Sequence, residues 1–542
     1  MRATKGLRGV ITVYVSLVFL LVMSLLAALL ETARVYGLRV RLQMASRGGL
    51  DSLFSMYSKP LFENFGILML DESFGYDQPV ADAFTNIIRE NMKYDLEQNK
   101  GMILGRTFQL FDLKFEDLVI AKTIRAVDDG GVYFAQSAID MMKYRVPASA
   151  FTSFTSLLGM YENAEAAKQS IEEGGGAVES EDWNTYVTTA APETLPATES
   201  APAASETGTE GSIADPGSAE TEVPATTEEA TTIDYNAEAD EAVDKSIIGV
   251  VKDFLKGNVL KIYGLKEAEI SKGKRNIKEA VSKKHSKDKV SEISEGVMSE
   301  AVTDFLFGEY VMEYLLDFQE QKDKEKKNEG QLRYEVEYVL IGKDNDKDNL
   351  LGVLNRIYGT RVAFNSFAVL TNPQCQKEAA ATASAVIGWT GIVPLVLGVQ
   401  WLLLETMALA ESVLDMRALV DGKKIPLFKS PAQWSVRLSN GVQLLTSGAQ
   451  SKEMAGGFDY QTYERVLLFF EKNKSKYLQT MDIIEWDMQK SDPGFHMDDC
   501  VYAVEIEAQA SAGRLFSKMI VLVPTLFLPH SYSFMQKDAR SY

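Results

Sequence analysis

From Val10 to Leu30 the chain runs for 21 residues without a charge, a proline or a glycine. At about 1.5 Å of rise per residue a helix of that length is about 31 Å long, matching the roughly 30 Å hydrocarbon core of a bilayer. A helix satisfies its own backbone N–H and C=O groups where no water is present, so the run predicts a transmembrane helix. It exceeds the roughly 7 to 15 apolar residues of a cleaved signal peptide, and Leu30, Glu31 and Thr32 offer no small-residue cleavage site, so a retained anchor is expected. Beyond it the pattern changes. Val35, Leu38, Leu42, Ala45 and Gly49 recur at alternating steps of three and four, one face of a helix that leaves the membrane as an amphipathic stalk. Gly48 and Gly49 are weak points, and Leu50, Leu53, Phe54 and Tyr57 continue the stripe.

Farther along, helical and strand-like periods alternate. Strands are expected at Phe108 to Ala121, at Leu332 to Ile341 and at Cys500 to Ala508, with apolar runs at Phe65 to Leu70 and Met519 to Leu528 and a short strand after Gly422. Helices are expected at Val132 to Tyr144, around Ile247 to Ile262, at Asn349 to Tyr358, Phe458 to Asn473 and Tyr477 to Met488. The fold class this implies is α+β.

Ala379 to Leu404 is a second uncharged stretch, of 26 residues. Gly388, Gly391, Pro394 and Gly398 interrupt it, and the uncharged part after Pro394 is only about ten residues, too short to cross a bilayer. The pattern predicts a helical hairpin over 374–420: one helix from Gln374 to Ile387, a turn at GWTGIVP, and a second helix from Leu395 to Val420. Leu395, Val399, Leu402, Thr406, Leu409, Val413, Met416 and Val420 form a seam along the second helix, with Glu405, Glu411 and Asp415 off it. Core packing, a docking face for another subunit and a true second span are the alternatives for this stretch.

Composition refines the picture locally. The net charge is −20, but Gly174 to Tyr235 alone holds thirteen acidic residues and no Lys or Arg. Rich in Thr, Ala, Glu and Pro, that segment cannot bury enough apolar surface to offset the entropy of ordering, and a disordered acidic insertion is expected. The domain plan is then a cytoplasmic tail at 1–9, a transmembrane helix at 10–30, a stalk at 31–57, an ectodomain split into 58–172 and 237–542, and the insertion at 173–236. Arg34, Arg39, Arg41 and Arg47 follow the span as closely as Arg2, Lys5 and Arg8 precede it, so charge does not orient it. With nine residues before the span and the bulk of the chain after it, a single-pass cell-membrane protein with most of the chain outside the cytoplasm is the simplest arrangement.

Little in the chain suggests chemistry. No phosphate-cradling Gly-rich loop, G-x-S-x-G elbow or H-E-x-x-H pair occurs. His496, Asp498, Asp499 and Cys500 offer N, O and S donors, but their spacing matches no established metal pattern and a polar turn accounts for it; no catalytic, metal or cofactor site is assigned. Cys375 and Cys500 allow one disulfide or two unpaired buried thiols. The basic residues Lys272, Lys274, Arg275, Lys278, Lys283, Lys284, Lys287 and Lys289 are interleaved with Glu267, Glu269, Glu279 and Asp288, which favours a solvated helix face over a patch for acidic lipid headgroups or wall polymers. The mildly acidic balance outside the insertion suggests no nucleic-acid footprint.

Arg8-Gly9 ahead of the apolar helix, and Glu31-Thr32-Ala33-Arg34-Val35-Tyr36 at its far end, resemble the N-terminus of TadE-type pseudopilins, membrane-anchored components of tight-adherence (Flp) pilus machines. In that family a peptidase cuts after the glycine, here Gly9, and a glutamate typically stands at the fifth mature position; this chain has Tyr14 there, a departure that points to a stationary accessory rather than a filament subunit. The phrases MYSKPLFENFGILMLDESFG (56–75), MMKYRVP (141–147), YEVEYVLIGKDNDKDNLLGVLNRI (334–357) and LDMRALVDGKKIPLFKS (414–430) look similar to a functionally uncharacterised family of large membrane-anchored proteins found with tight-adherence genes in Gram-positive anaerobes. The resemblance implies a non-enzymatic component of a pilus-type assembly or secretion machine, with the lipid bilayer and machine subunits as partners. A surface enzyme acting on wall polymer or peptide, or an envelope sensor if 379–404 crosses the membrane, are the competing classes.

Overall fold

A single helix of 51 residues, α1 (Thr4–Phe54), opens the computed structural model of the chain. The structure describes residues 4–73, 82–97, 101–103, 106–108, 111–159, 259–287, 299–323, 332–513 and 531–542. The expected insertion at 173–236, the helix beginning near Ile247 and the run from Met519 to Leu528 therefore lie outside the described residues, apart from Val259–Ile262, which is helical. The fold is α+β, and the chain divides into two compact units. The first comprises 1–151, 270–353 and 461–542; the second comprises 152–269 and 354–460.

In the first unit α1 is followed by α2 (Lys59–Phe65), β1 (Leu70–Asp71), α3 (Ala83–Glu97), a hairpin of β2 (Gly101–Ile103) and β3 (Arg106–Phe108), β4 (Lys114–Arg125) and α4 (Asp128–Met142). The long strand β5 (Cys500–Gly513) pairs antiparallel with β4 along one side and with β1 and then β6 (Ser531–Ser541) along the other. Its side chains obey the period of two. Val504, Ile506, Ala508, Ala510 and Ala512 are buried, while Glu505, Glu507, Gln509 and Ser511 alternate with them on the more exposed face. The buried face shares a core with Leu38, Leu42, Ala45, Leu50 and Leu53 of α1 and Ile88 and Met92 of α3.

The expected stalk stripe is this buried face of α1, and the helix passes through Gly48 and Gly49 without a break. Gly49 is there for proximity: a Cβ on it would lie 3.0 Å from Ile88 Cγ2 and Met92 Cγ and 3.2 Å from the Ile88 carbonyl. Arg41 secures the same contact by donating to the carbonyls of Asp95 (3.0 Å) and Leu96 (2.8 Å) near the end of α3, where helix carbonyls lack partners.

A second core of this unit gathers Phe134 of α4, Phe307 and Tyr310 of α5 (Glu300–Tyr314), and Tyr477, which lies on the helix Asn473–Met488. One expectation fails here. Leu332 to Ile341 is not a strand: Glu335–Ile341 forms α6. Val336, Val339 and Leu340 share a helical face, Glu337 is buried where a strand would have exposed it, and its carboxylate accepts from the Phe318 amide at 2.9 Å. Gly342, at φ 71°, ends the helix with its N–H bonded to the Tyr338 carbonyl.

The next helix, α7 (Asp346–Leu370), starts in the first unit and ends in the second. There follow α8 (Pro373–Ile387), a 3₁₀ turn at Gly388–Thr390 and α9 (Val393–Val420), the hairpin expected from the sequence. Asn372 caps α8 by accepting from the Gln374 and Cys375 amides. Only an isolated bridge between Ile425 and Phe458 stands where a strand was expected after Gly422. The first unit closes with α10 (Tyr460–Phe470), α11 (Asn473–Met488) and β5 and β6.

Candidate functional site

The features that bear on function are two long helices that are apolar and exposed at one end and packed at the other. They are α1 and α9, the two described helices long and apolar enough to cross a membrane. In α1 every large apolar side chain from Ile11 to Leu30 is exposed, fifteen in all, from Met23 at 40% to Tyr14 at 68%. Burying such side chains is worth about 1.5 kcal/mol each at the low end, so on the order of 20 kcal/mol of transfer free energy goes unused if this helix stands in water.

The change from exposed to packed is abrupt. At Glu31 and Arg34 both side chains become buried, and Arg34 Nη1 donates to Glu31 Oε1 at 3.0 Å and to the Gly513 carbonyl at 2.9 Å. The pair ties α1 to the end of β5 and neutralises two formal charges at the edge of the exposed apolar stretch. Gly9, the candidate processing site, lies in the helical part of α1.

In α9 the apolar seam divides in two. Leu395 and Leu402 are exposed at 39% and 40%, Val399 and Leu409 are half-buried, and Thr406, Val413, Met416 and Val420 are buried. From Thr406 onward nearly the whole circumference is covered, and Glu411 and Asp415, which the sequence placed off the seam, are fully buried. Toward the turn the reverse holds: Val386, Trp389 (72%), Ile392, Val393, Leu397 and Trp401 are exposed. Cys375, Ala379 and Ala383 make a buried stripe of small residues on α8, the helix that packs along α9.

The buried charges of α9 are compensated within the second unit. Arg361 donates to Asp415 Oδ2 from Nε (3.0 Å) and Nη2 (2.6 Å), and to the carbonyls of Pro426 (2.9 Å) and Leu427 (3.0 Å). Lys429 bridges Glu411 and Asp415, Asn365 and Ser451 donate to Asp415, and the Ser435 and Val436 amides donate to Glu411. Burial pushes the Asp415 carboxyl up, but the Arg361 and Lys429 charges outweigh it and hold the group near about 2. Every polar atom of this cluster described here is engaged by the protein, which makes it a structural clamp.

The other candidate groups do not converge. Asp498 Oδ1 lies 2.8 Å from His285 Nε2 and Oδ2 is 3.2 Å from Lys284 Nζ, while His496 Nδ1 is 3.6 Å from Glu485. Burial raises the Asp498 carboxyl, and the His285 hydrogen bond and Lys284 charge bring it below its usual range. Among the described residues no three His, Cys, Asp or Glu side chains are grouped to hold a metal. Cys375 and Cys500 are both free and buried, so the disulfide is not formed; burial pushes the Cys375 thiol to about 11 and the Cys500 thiol well above its usual value. The basic run breaks into individual contacts: Lys274 with Asp344, Lys284 with Asp498, and Arg275 over the Trp486 ring.

Residues 237–512, just over half of the chain, match a family of unknown function, DUF5702. The chain belongs to that family. No curated protein and no solved structure matches it. The DUF5702 stretch holds the α8–α9 hairpin, the Arg361–Asp415–Lys429–Glu411 clamp and nearly all of β5, and begins after α1. It takes in the phrases at 334–357 and 414–430 and leaves out those at 56–75 and 141–147.

Proposed function

We propose that this DUF5702 protein is a membrane-anchored, extracytoplasmic accessory component of a pilus-type assembly or secretion machine, acting by protein–protein contact. One observation carries the anchor. The first part of α1 exposes every large apolar side chain, while the second part of the same unbroken helix is built into a core with β5 and α3. An exposed helix of 21 uncharged residues has the length and surface that a bilayer accepts. The folded part then sits at a set distance from the membrane, without a linker between them.

The machine is supported by the likeness of Arg8-Gly9 and of Glu31 to Tyr36 to the TadE-type N-terminus. The Glu31–Arg34 pair gives part of that phrase a physical role at the point where hydrocarbon would end. Tyr14 at the position of the pilin glutamate favours a protein that stays in the membrane beside the machine over one that enters a filament. The test is crosslinking in intact cells followed by purification of the full chain from membranes. Recovery of pilin, assembly-platform or secretion subunits is expected, and recovery of none of them would sink the proposal.

A further inference from the structure

We propose that the tip of the α8–α9 hairpin inserts into the bilayer leaflet that faces the folded part, as a second membrane contact that does not cross; this rests on the reading of the chain as membrane-anchored. The surface is of the right kind. Trp389, Ile392, Val393, Leu395, Leu397 and Trp401 are all exposed, and no charge occurs from Ala379 to Leu404, between Glu378 on one arm and Glu405 on the other. A protein partner is usually met by a rim of polar groups that offer directional bonds. Here polar side chains are few, and the Trp389 indole and Thr390 hydroxyl are bonded to carbonyls of the tip itself.

Much of the hydrogen bonding at the tip is made within the tip. The Gly388 amide donates to the Ser384 carbonyl, Gly391 to Gly388, Ile392 to the Thr390 hydroxyl, and Leu395 and Val396 to the Ile392 carbonyl. Pro394 has no N–H to satisfy. The Trp389 indole donates to the Val386 carbonyl at 3.1 Å and the Thr390 hydroxyl to the Ile387 carbonyl at 2.8 Å. In water such groups have solvent partners and need no such closure, whereas in hydrocarbon each open one costs several kcal/mol.

The depth also fits. Gln400 donates to Gln376 at 3.2 Å across the two arms, marking the level at which amide side chains join them, with Trp401 beside it. From Gln400 to the start of α9 at Val393 is about 11 Å of helix, more than a headgroup layer demands and less than the roughly 15 Å of one leaflet's hydrocarbon. Trp401 then falls at the interface, where indoles are enriched. Below that level α9 enters the core with its charges clamped, so a crossing would have to pull Glu411 and Asp415 apart from Lys429 and Arg361.

Single cysteines would be introduced into the full chain carrying Cys375→Ser and Cys500→Ser, labelled with a polarity-sensitive fluorophore, and reconstituted in phosphatidylcholine–phosphatidylglycerol vesicles. The sites are Leu20, Leu397 and the exposed Lys452. Quenching at Leu20 and Leu397 by a nitroxide on the lipid acyl chain, with Lys452 quenched by aqueous iodide, is the expected result, and Trp401→Glu should abolish lipid quenching at Leu397. If Leu20 is quenched by lipid and Leu397 only by iodide, the insertion is wrong and the anchor stands; if Leu20 too answers only to iodide, the anchor is wrong. Probes at Lys347 and Lys452 should be reduced together by external dithionite. Protection of one alone would mean a crossing and would overturn a one-leaflet wedge.

Discussion

α1 and α9 begin alike and end differently. Each presents bare apolar side chains for part of its length and is packed for the remainder, but α1 stays bare for the thickness of a bilayer and α9 for only about ten residues. The packed parts differ in kind as well. That of α1 joins a sheet and α3 through apolar contacts, a close glycine, the Glu31–Arg34 pair and the Arg41 bonds to α3, whereas that of α9 carries two fully buried carboxylates compensated by Arg361 and Lys429. Apolar length alone therefore does not distinguish the two helices; how far the bare surface runs before the first buried charge does.

The largest test of that difference lies in the clamp. Arg361→Met should leave Asp415 short of a partner in a site that excludes water and cost about 3 to 5 kcal/mol, read as a lowered denaturation midpoint. Next comes the span. Leu20→Arg should weaken membrane integration by about 2.5 to 3.5 kcal/mol on the insertion scale, seen as chain released by alkaline extraction. Leu397→Arg, near the end of the exposed part of α9, should leave the chain in the membrane fraction.

pH separates the two units at the scale of about 2 to 3 kcal/mol. Asp415, held near about 2 against the usual 3.8, stabilises the second unit above pH 3.8, and that contribution disappears as pH falls through about 2. Glu335 in the first unit is raised by burial to about 7, with the Leu316 amide pulling the other way. Its neutral form is the stable one, so its contribution is complete below about 4.5 and is lost as pH rises through about 7. Hydrogen exchange should accordingly quicken around Arg361 and Asp415 in acid, and around Glu335 between weakly acid and neutral pH.

The smallest test uses one substitution in each helix. Gly49→Ala gains helix propensity but forces a methyl group against Ile88 and Met92, for a net loss of about 1 kcal/mol. Gly398→Ala meets nothing within 4 Å and should gain about 0.5 to 1 kcal/mol. Equal signs in a thermal melt would contradict the close approach assigned to α1.

Periodicity carried the long elements. The stripe from Val35 to Gly49, the hairpin with its turn at Gly388 to Pro394, and the strand from Cys500 were legible because each buries one face at its own period. Leu332 to Ile341 misled because Tyr and Val suit strands, although the three- and four-residue spacing of Val336, Val339 and Leu340 with Gly342 behind it was a helix and its stop. The clamp left no such trace. Arg361, Glu411, Asp415 and Lys429 are ordinary surface residues by type, and their burial follows from tertiary contacts across 54 positions of sequence.

Because α1 is one rod from Thr4 to Phe54, its two ends share a single helical phase. A residue added between Leu30 and Arg34 would lift the sheet by about 1.5 Å and also turn it by about 100° around the rod. Only changes near seven residues, close to two whole turns, would restore the original bearing. On the proposed anchoring, the length of α1 is thereby coupled to the direction in which the protein faces across the membrane surface.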